Sequence, residues 1–356
     1  MKRPSIQNIL VPIDFSEMSI DAIATAKRLA RRFGAAIHLA HVHQLSYPAT
    51  FVTEQLRTAA ARSGLSPREQ TYVRTGAAFH EISRLAQEIP ADLIVMPTHG
   101  YTGLRHVFLG STAERVVRHS PCPVLVVREK KQRSKAGRRL TFKRILGPVD
   151  FSDCSRTGLE YAIGFANEFA ARIILLHATY LGYIYSSEGT ALYNIPGLQE
   201  AARKTAERKM RELVRSVNFG AVKFETVFTD GSPVIDICAF AKDHDVDLII
   251  TSTHGLTGFQ HVLIGSIAER VVRHAPCSVL VVPSYPKIRL ANLAKARTRT
   301  AAKTTPTQLR RPPRGKALDD SAPHHIRVML GSKQTREYVN LASVPELKGD
   351  GIRSGP

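Results

Sequence analysis

The residues best suited to chemistry occur twice. Thr98-His99-Gly100 is followed, nine residues on, by Gly110-Ser111-Thr112, and Thr253-His254-Gly255 by Gly265-Ser266-Ile267 at the same spacing. Glycine at 100, 110, 255 and 265 lets the backbone approach a ligand with no side chain between. Each serine then opens a helix, whose unpaired N–H groups and positive dipole end suit a phosphate. Asp14 and Asp150, each just after a short apolar run, add one carboxylate per copy. These residues also have a plainer use. Ser111-Thr-Ala-Glu114 and Ser266-Ile-Ala-Glu269 spell capping boxes, in which serine and glutamate serve only their own helix. Asp14 and Asp150 read equally well as helix caps. His99, His106, His254 and His261 fit loop residues donating one hydrogen bond better than reacting groups. Phosphoryl transfer needs carboxylates that hold a metal and a group that orients the nucleophile. With one aspartate near the loop in each copy and no Gly-Lys-Ser/Thr loop, the pattern favours binding over catalysis.

Residues 98–127 match residues 253–282 at 22 of 30 positions, so the chain holds two copies of one domain. Asp14 and Asp150, like His41 and His177, lie 136 apart, whereas Gly76 and Gly231, like Gly100 and Gly255, lie 155 apart. The 19 extra residues therefore fall between the second and third strands of the second copy. Leu198, Ala202, Ala206, Met210, Leu213 and Val217 mark a longer amphipathic helix there, after a loop carrying Tyr180, Tyr183, Tyr185 and Tyr193. The helix is expected to cover more sheet; a sharper reading lays the tyrosine loop over the mouth of the second site.

Stepping along the first copy, apolar runs at 8–13, 36–41, 70–74, 92–96 and 124–127 alternate with helical patterns at 20–30, 50–63, 79–88 and 112–119. The second copy repeats the plan from residue 144, with a helical pattern at 159–170. Continuously apolar strands alternating with helices call for a parallel sheet covered on both faces. Ligands of such sheets collect at the carboxyl ends of the strands, where strand order reverses. If the first and fourth strands are neighbours, Asp14 and the Pro97–Gly100 turn converge on one crevice.

The net charge of +20 divides unevenly: +6 over 1–128, +5 over the linker 129–141, −1 over 142–284 and +10 over the tail 285–356. The tail has no sustained periodicity and is expected to be disordered, with only 326–330 and 338–341 apolar enough to order. Its charge could contact anionic surfaces, but without interleaved aromatics it reads as a solvated tail. No apolar run approaches a membrane span, no cleavable leader is evident, and four cysteines show no metal or redox spacing. These features point to a cytoplasmic protein with passive thiols.

Val11-Pro12-Ile13-Asp14-Phe15-Ser16, Leu39-Ala-His41-Val42, Asp92-Leu-Ile-Val-Met96, Thr98-His99-Gly100 with Gly110-Ser111, and Cys122-Pro-Val-Leu-Val-Val together resemble a universal stress protein domain. The likeness covers about residues 6–128 and 142–283. It implies two tandem Rossmann-like domains, each an open five-stranded parallel sheet with helices on both faces. It also implies ATP or another adenine nucleotide, with or without Mg, at the strand ends. Domains would pair through their last strands, inside a tandem chain or in a homodimer, and a regulatory protein partner would be unnamed. Carried over by position, Asp14 and the backbone of Val42 lie near adenine and ribose, Pro12, Met96 and Pro97 wall the notch, and Gly100, Gly110, Ser111 and Thr112 hold phosphates. In the second copy these are Asp150, Ala178, Pro148, Thr251, Ser252, Gly255, Gly265, Ser266 and Ile267. The family pattern begins with a glycine where this chain has Pro97 and Ser252. Proline offers no N–H, so Ser252 favours the second copy if only one binds. The resemblance implies a nucleotide-responsive binding protein; a slow ATPase and a nucleotide-free scaffold are the rivals.

Overall fold

A computed structural model of the chain describes residues 6–43, 48–65, 70–98, 109–128, 142–179, 197–253, 266–283, 325–329 and 336–340. The first copy runs β1 (Asn8–Pro12), α1 (Glu17–Phe33), β2 (Ala36–His43), α2 (Ala49–Arg62), β3 (Gln70–Thr75), α3 (Ala78–Glu88), β4 (Leu93–Pro97), α4 (Ser111–His119) and β5 (Val124–Val127). The second runs β6 (Arg144–Pro148), α5 (Asp153–Phe169), β7 (Arg172–Ala178), α6 (Leu198–Ser216), β8 (Phe224–Thr229), α7 (Pro233–Asp243), β9 (Leu248–Ser252), α8 (Ser266–His274) and β10 (Ser278–Val282).

Within each copy the strands are parallel, in the orders β3-β2-β1-β4-β5 and β8-β7-β6-β9-β10. Strand order thus reverses beside β1 and beside β6, and β1 does neighbour β4, with Ile9 opposite Leu93. Asp92 fixes that register from the far end, its Oδ2 accepting from the Gln7 and Asn8 N–H groups at 2.8 and 3.0 Å. Asp247 does the same for Lys143 and Arg144 at 2.8 and 3.1 Å.

Because every strand but the edges is buried on both faces, the sheet needs two helical layers. On one face α1, α2, α5 and α6 enclose a core that includes Ile23, Leu29, Leu56, Phe165 and Met210. On the other α3, α4, α7 and α8 enclose one that includes Leu85, Val116, Phe240 and Val271. Both cores run through both copies, because β5 and β10 pair antiparallel, Leu125 opposite Leu280, and fuse the two sheets into one. Where α1 meets α5, Phe33, Phe142, Phe165 and Phe169 stack at 4.9–6.4 Å between ring centres. Arg32 binds the carboxylate of Glu168 at 2.8 Å beside them. Fully burying a ring such as Phe165 contributes about 1.5–3 kcal/mol.

Two differences from the sequence reading have local causes. Helix α5 begins at Asp153, well before the first apolar position expected, because Ser152 caps it, accepting from the Ser155 N–H at 3.1 Å. The tail, expected to be disordered, supplies β11 (His325–Met329) and β12 (Arg336–Asn340), an antiparallel hairpin whose β11 adds in parallel to the β8 edge. These strands fall on the two stretches apolar enough to order, and an open sheet edge is what such segments pair with. The tyrosine loop lies outside the described residues.

Candidate functional site

The turn after β1 is built from its own short polar residues. Ile13 continues the ladder, its N–H donating to Ala40 at 2.8 Å, and its carbonyl accepts from His41 Nδ1 at 2.8 Å. Phe15 then takes a left-handed conformation, φ 64°, and its ring packs 4.5 Å from the His41 ring. Asp14 Oδ1 accepts from the Ser16 N–H at 3.1 Å and its hydroxyl at 2.6 Å. Ser16, not Asp14, caps α1, its Oγ accepting from Ser19 N–H at 3.2 Å. Asp14 thus orients the cap instead of being it. The turn after β6 repeats this with Asp150, Ser152, Phe151 (φ 65°) and His177, whose Nδ1 donates to Val149 at 2.7 Å. Burial pushes the pKa of both imidazoles down, against smaller opposing effects of the backbone carbonyl and the nearby aspartate. The carbonyl contact requires a proton on Nδ1, and burial favours the neutral ring.

Across the reversal point, Met96 and Pro97 end β4, both buried. Pro97 is the strand's last residue, opposite Val127, and Met96 belongs to the core below. The Gly110 N–H donates to Thr98 at 2.8 Å, bringing the start of α4 back over the end of β4. Here the capping-box reading fails. Gly110, which has no side chain to offer, is the N-cap, and Ser111 is the first helical residue, exposed. Glu114 is drawn away instead. Arg118 binds Glu114 at 3.0 Å and Glu269 at 2.9 Å, and Arg273 binds Glu269 at 3.2 Å and Glu114 at 3.4 Å. This four-charge ring joins α4 to α8 across the two copies, and among the described residues no side chain caps the α4 start.

That start opens on a cleft of about 270 Å³ lined by Val42, Gly76, Ala77, Ala78, Phe79, Ser111, Thr112 and Arg115. Of the residues expected from sequence, Val42, Ser111 and Thr112 share this cleft, while Pro12 and Asp14 end the neighbouring strand. The β3–α3 turn and Arg115 were missed as site residues. Gly76, at φ 141°, recurs as Gly231, and Arg115 as Arg270; that recurrence was their only signal in the sequence. The Arg115 guanidinium lies 5.1 Å from the centre of the Phe79 ring, at the mouth of the cleft. A cation, a hydroxyl and the first N–H groups of α4 around one hollow suit a phosphorylated ligand.

In the second copy Pro148 and Asp150 end β6 and its turn, Ala178 ends β7, and Thr251 and Ser252 end β9, Ser252 buried. Ser266 is the first residue of α8, and Ile267 is 43% exposed where the first copy has Thr112. Gly100, Gly255 and Gly265, with the four loop histidines, lie outside the described residues. Among the described residues no three of His, Cys, Asp and Glu gather to hold a metal ion, and no helix is long and apolar enough to cross a membrane. All four cysteines are unbridged; burial pushes the Cys122 thiol to about 12 and the Cys238 thiol to about 11.

The universal stress protein family model matches residues 5–128 and 141–283. Universal stress protein MJ0531 of Methanocaldococcus jannaschii is 30% identical over 141 residues, 40% of this chain and 82% of that one. Universal stress protein YxiE of Bacillus subtilis is 27% identical over 146 residues, 40% of this chain and 99% of that one. The crystal structure of a universal stress protein from Archaeoglobus fulgidus aligns over 79% of this chain and 97% of its own, at a TM-score of 0.55 and 20% identity, and so shares the fold.

Proposed function

The chain belongs to the universal stress protein family, and from that premise we propose that it is a cytoplasmic stress-response binding protein whose notches take adenine nucleotides, ATP among them. The observation that carries this reading is the start of α4, with glycine at its N-cap, facing a cleft that also holds Thr112 and Arg115. Phosphates would lie against the first N–H groups of α4, the Ser111 and Thr112 hydroxyls and the Arg115 guanidinium. Adenine and ribose would lie toward Asp14 and the backbone of Val42. The second notch would use Asp150, Ala178, Ser266, Ile267 and the neighbouring loop in the same roles. A magnesium ion would find one carboxylate per notch and would depend on the phosphates for its other ligands. With no group among the described residues placed to orient a nucleophile, we favour retention and signalling of the nucleotide's presence over its hydrolysis.

Calorimetric titration of the full chain with ATP, ADP and AMP, with and without Mg, tests this. Saturable binding is expected, weakened about tenfold or more by Asp14→Asn with Asp150→Asn, since hydrogen bonds to a charged group contribute roughly 1.5–3 kcal/mol. Asparagine keeps the acceptor that holds Ser16 and Ser152, so the turns survive. Flat titrations with all three nucleotides would leave a nucleotide-free scaffold. Phosphate release by the native chain that the double variant lacks would make it a slow ATPase.

A further inference from the structure

A cavity of about 820 Å³ lies between α1 and α2, on the opposite face of the sheet from the α4 cleft. Its two ends differ in chemistry. At one end Phe15, Ile20 and Phe51 form an apolar floor, with Ile20 38% and Phe51 53% exposed. At the other stand Arg28, Arg31 and Arg62, all exposed. Lys27, at the same end, is taken up by the carbonyls of Ser63 and Gly64, the latter at 2.9 Å, and closes the cleft by tying α1 to the end of α2. Glu54 is the one acid in the lining, and it reaches toward Arg57 on its own helix at 4.0 Å.

The second copy supplies an internal control. Helix α5 follows α1 at an offset of 136, so Ile20, Arg28 and Arg31 correspond to Arg156, Gly164 and Asn167. Aligning the buried pair Val52 and Leu56 of α2 with Ala206 and Met210 of α6 makes Phe51, Glu54 and Arg62 correspond to Thr205, Arg208 and Ser216. Both the apolar end and the arginine end vanish. There Lys209 covers Phe151, its ammonium 5.9 Å from the ring centre, and Arg156 donates to the Ser216 carbonyl at 3.0 Å. The same fold therefore closes this groove with mixed charge in one half and leaves it open, apolar and cationic in the other.

We propose that the α1–α2 groove is a docking site for an acidic amphipathic helix of a partner protein. The groove spans residues 20–31 and 51–62, about 16 Å along each helix, which accommodates roughly three turns. Carboxylates on one face of such a helix meet Arg28, Arg31 and Arg62, and an apolar anchor covers Phe51 and Ile20. Charge excludes the occupants nearer to hand: the tail beyond residue 284 carries +10 and a second copy of the chain +20. A nucleic-acid backbone would satisfy the arginines and leave the apolar end uncovered.

The test uses the full chain at 0.15 M salt and a fluorescein-labelled 16-residue helical peptide with a glutamate face and two leucine anchors. Fluorescence anisotropy is expected to show saturable binding, weakened tenfold or more by Arg28→Glu, Arg31→Glu and Arg62→Glu together. Phe51→Ser, at a position 53% exposed, is expected to lower affinity to that of a peptide with serine anchors. Unaltered thermal midpoints accompany both results. Equal binding by the native chain and the triple variant would show the basic tail or linker holding the peptide and overturn the proposal. So would equal binding of the serine-anchored peptide, or displacement of the peptide by single-stranded DNA.

Discussion

The turn after β1 and the turn after β6 agree within 0.1 Å in their equivalent hydrogen bonds and within 1° in the φ of Phe15 and Phe151. The helices flanking those turns do not agree: α2 has 14 residues and α6 has 19, and their outward faces differ in charge and polarity. The contrast separates two kinds of constraint. A strand end that must present a carboxylate and a left-handed residue in one place has few solutions, so both copies use the same residues. A helix that only has to cover sheet has many, and its solvent side is available for some other purpose.

Three changes sharpen or break that comparison. The largest effect is expected at the helix starts, where Thr112 and Ile267 differ. In a chain silenced at the second notch by Asp150→Asn, Thr112→Ile should weaken ATP by roughly five- to tenfold, the loss of about one hydrogen bond. In a chain silenced at the first by Asp14→Asn, Ile267→Thr should strengthen it by a similar factor. Calorimetry that shows no change in either background would mean the helix starts do not touch the ligand. A smaller effect is expected where α1 and α5 end. Gly34 sits at φ 72° with open space where a Cβ would go, while the equivalent Ala170 takes φ 51°. Gly34→Ala should lower stability by about 1 kcal/mol and Ala170→Gly raise it by up to about as much, read from urea unfolding. Equal signs would show that the two helix ends are not under the same strain.

The smallest effect concerns pH. His41 and His177 are both held below their ordinary value near 6.5, chiefly by burial. Above that value folded and unfolded chains are both neutral at these rings, and they add no pH dependence. Below it the unfolded chain takes up protons first, so stability should fall as pH drops from 6.5 toward the lower folded values. His41→Gln and His177→Gln should each flatten part of that slope in thermal unfolding, by similar amounts if the two turns are equivalent.

Much of this was legible in the residues themselves. The shift of the repeat offset from 136 to 155 located the extra helix length before any coordinate, because an insertion displaces everything after it by a fixed number. Alternating apolar runs marked the strands of the two domains, since a buried parallel sheet has no polar face to hide them. Other features depended on which surfaces meet. Glu114 three residues after Ser111 spells a cap; Arg118 one turn on is a local rival for it, but nothing local says that Arg273 will also claim it from across the domain boundary. Arg115 and the Gly76–Phe79 turn lie far apart in the chain and become one cleft only when α3 packs beside α4. The pairing of β11 with β8 needs an edge that exists only once the sheet is complete.

The antiparallel meeting of β5 with β10 has a directional consequence. Strands of the first half point one way along the sheet and those of the second half the other, so the two mouths open toward opposite poles of the molecule. No rigid body of ordinary size could read both mouths of one chain from a single side. The Glu114–Arg118–Glu269–Arg273 ring lies at the seam between the two halves and ties α4 of one to α8 of the other.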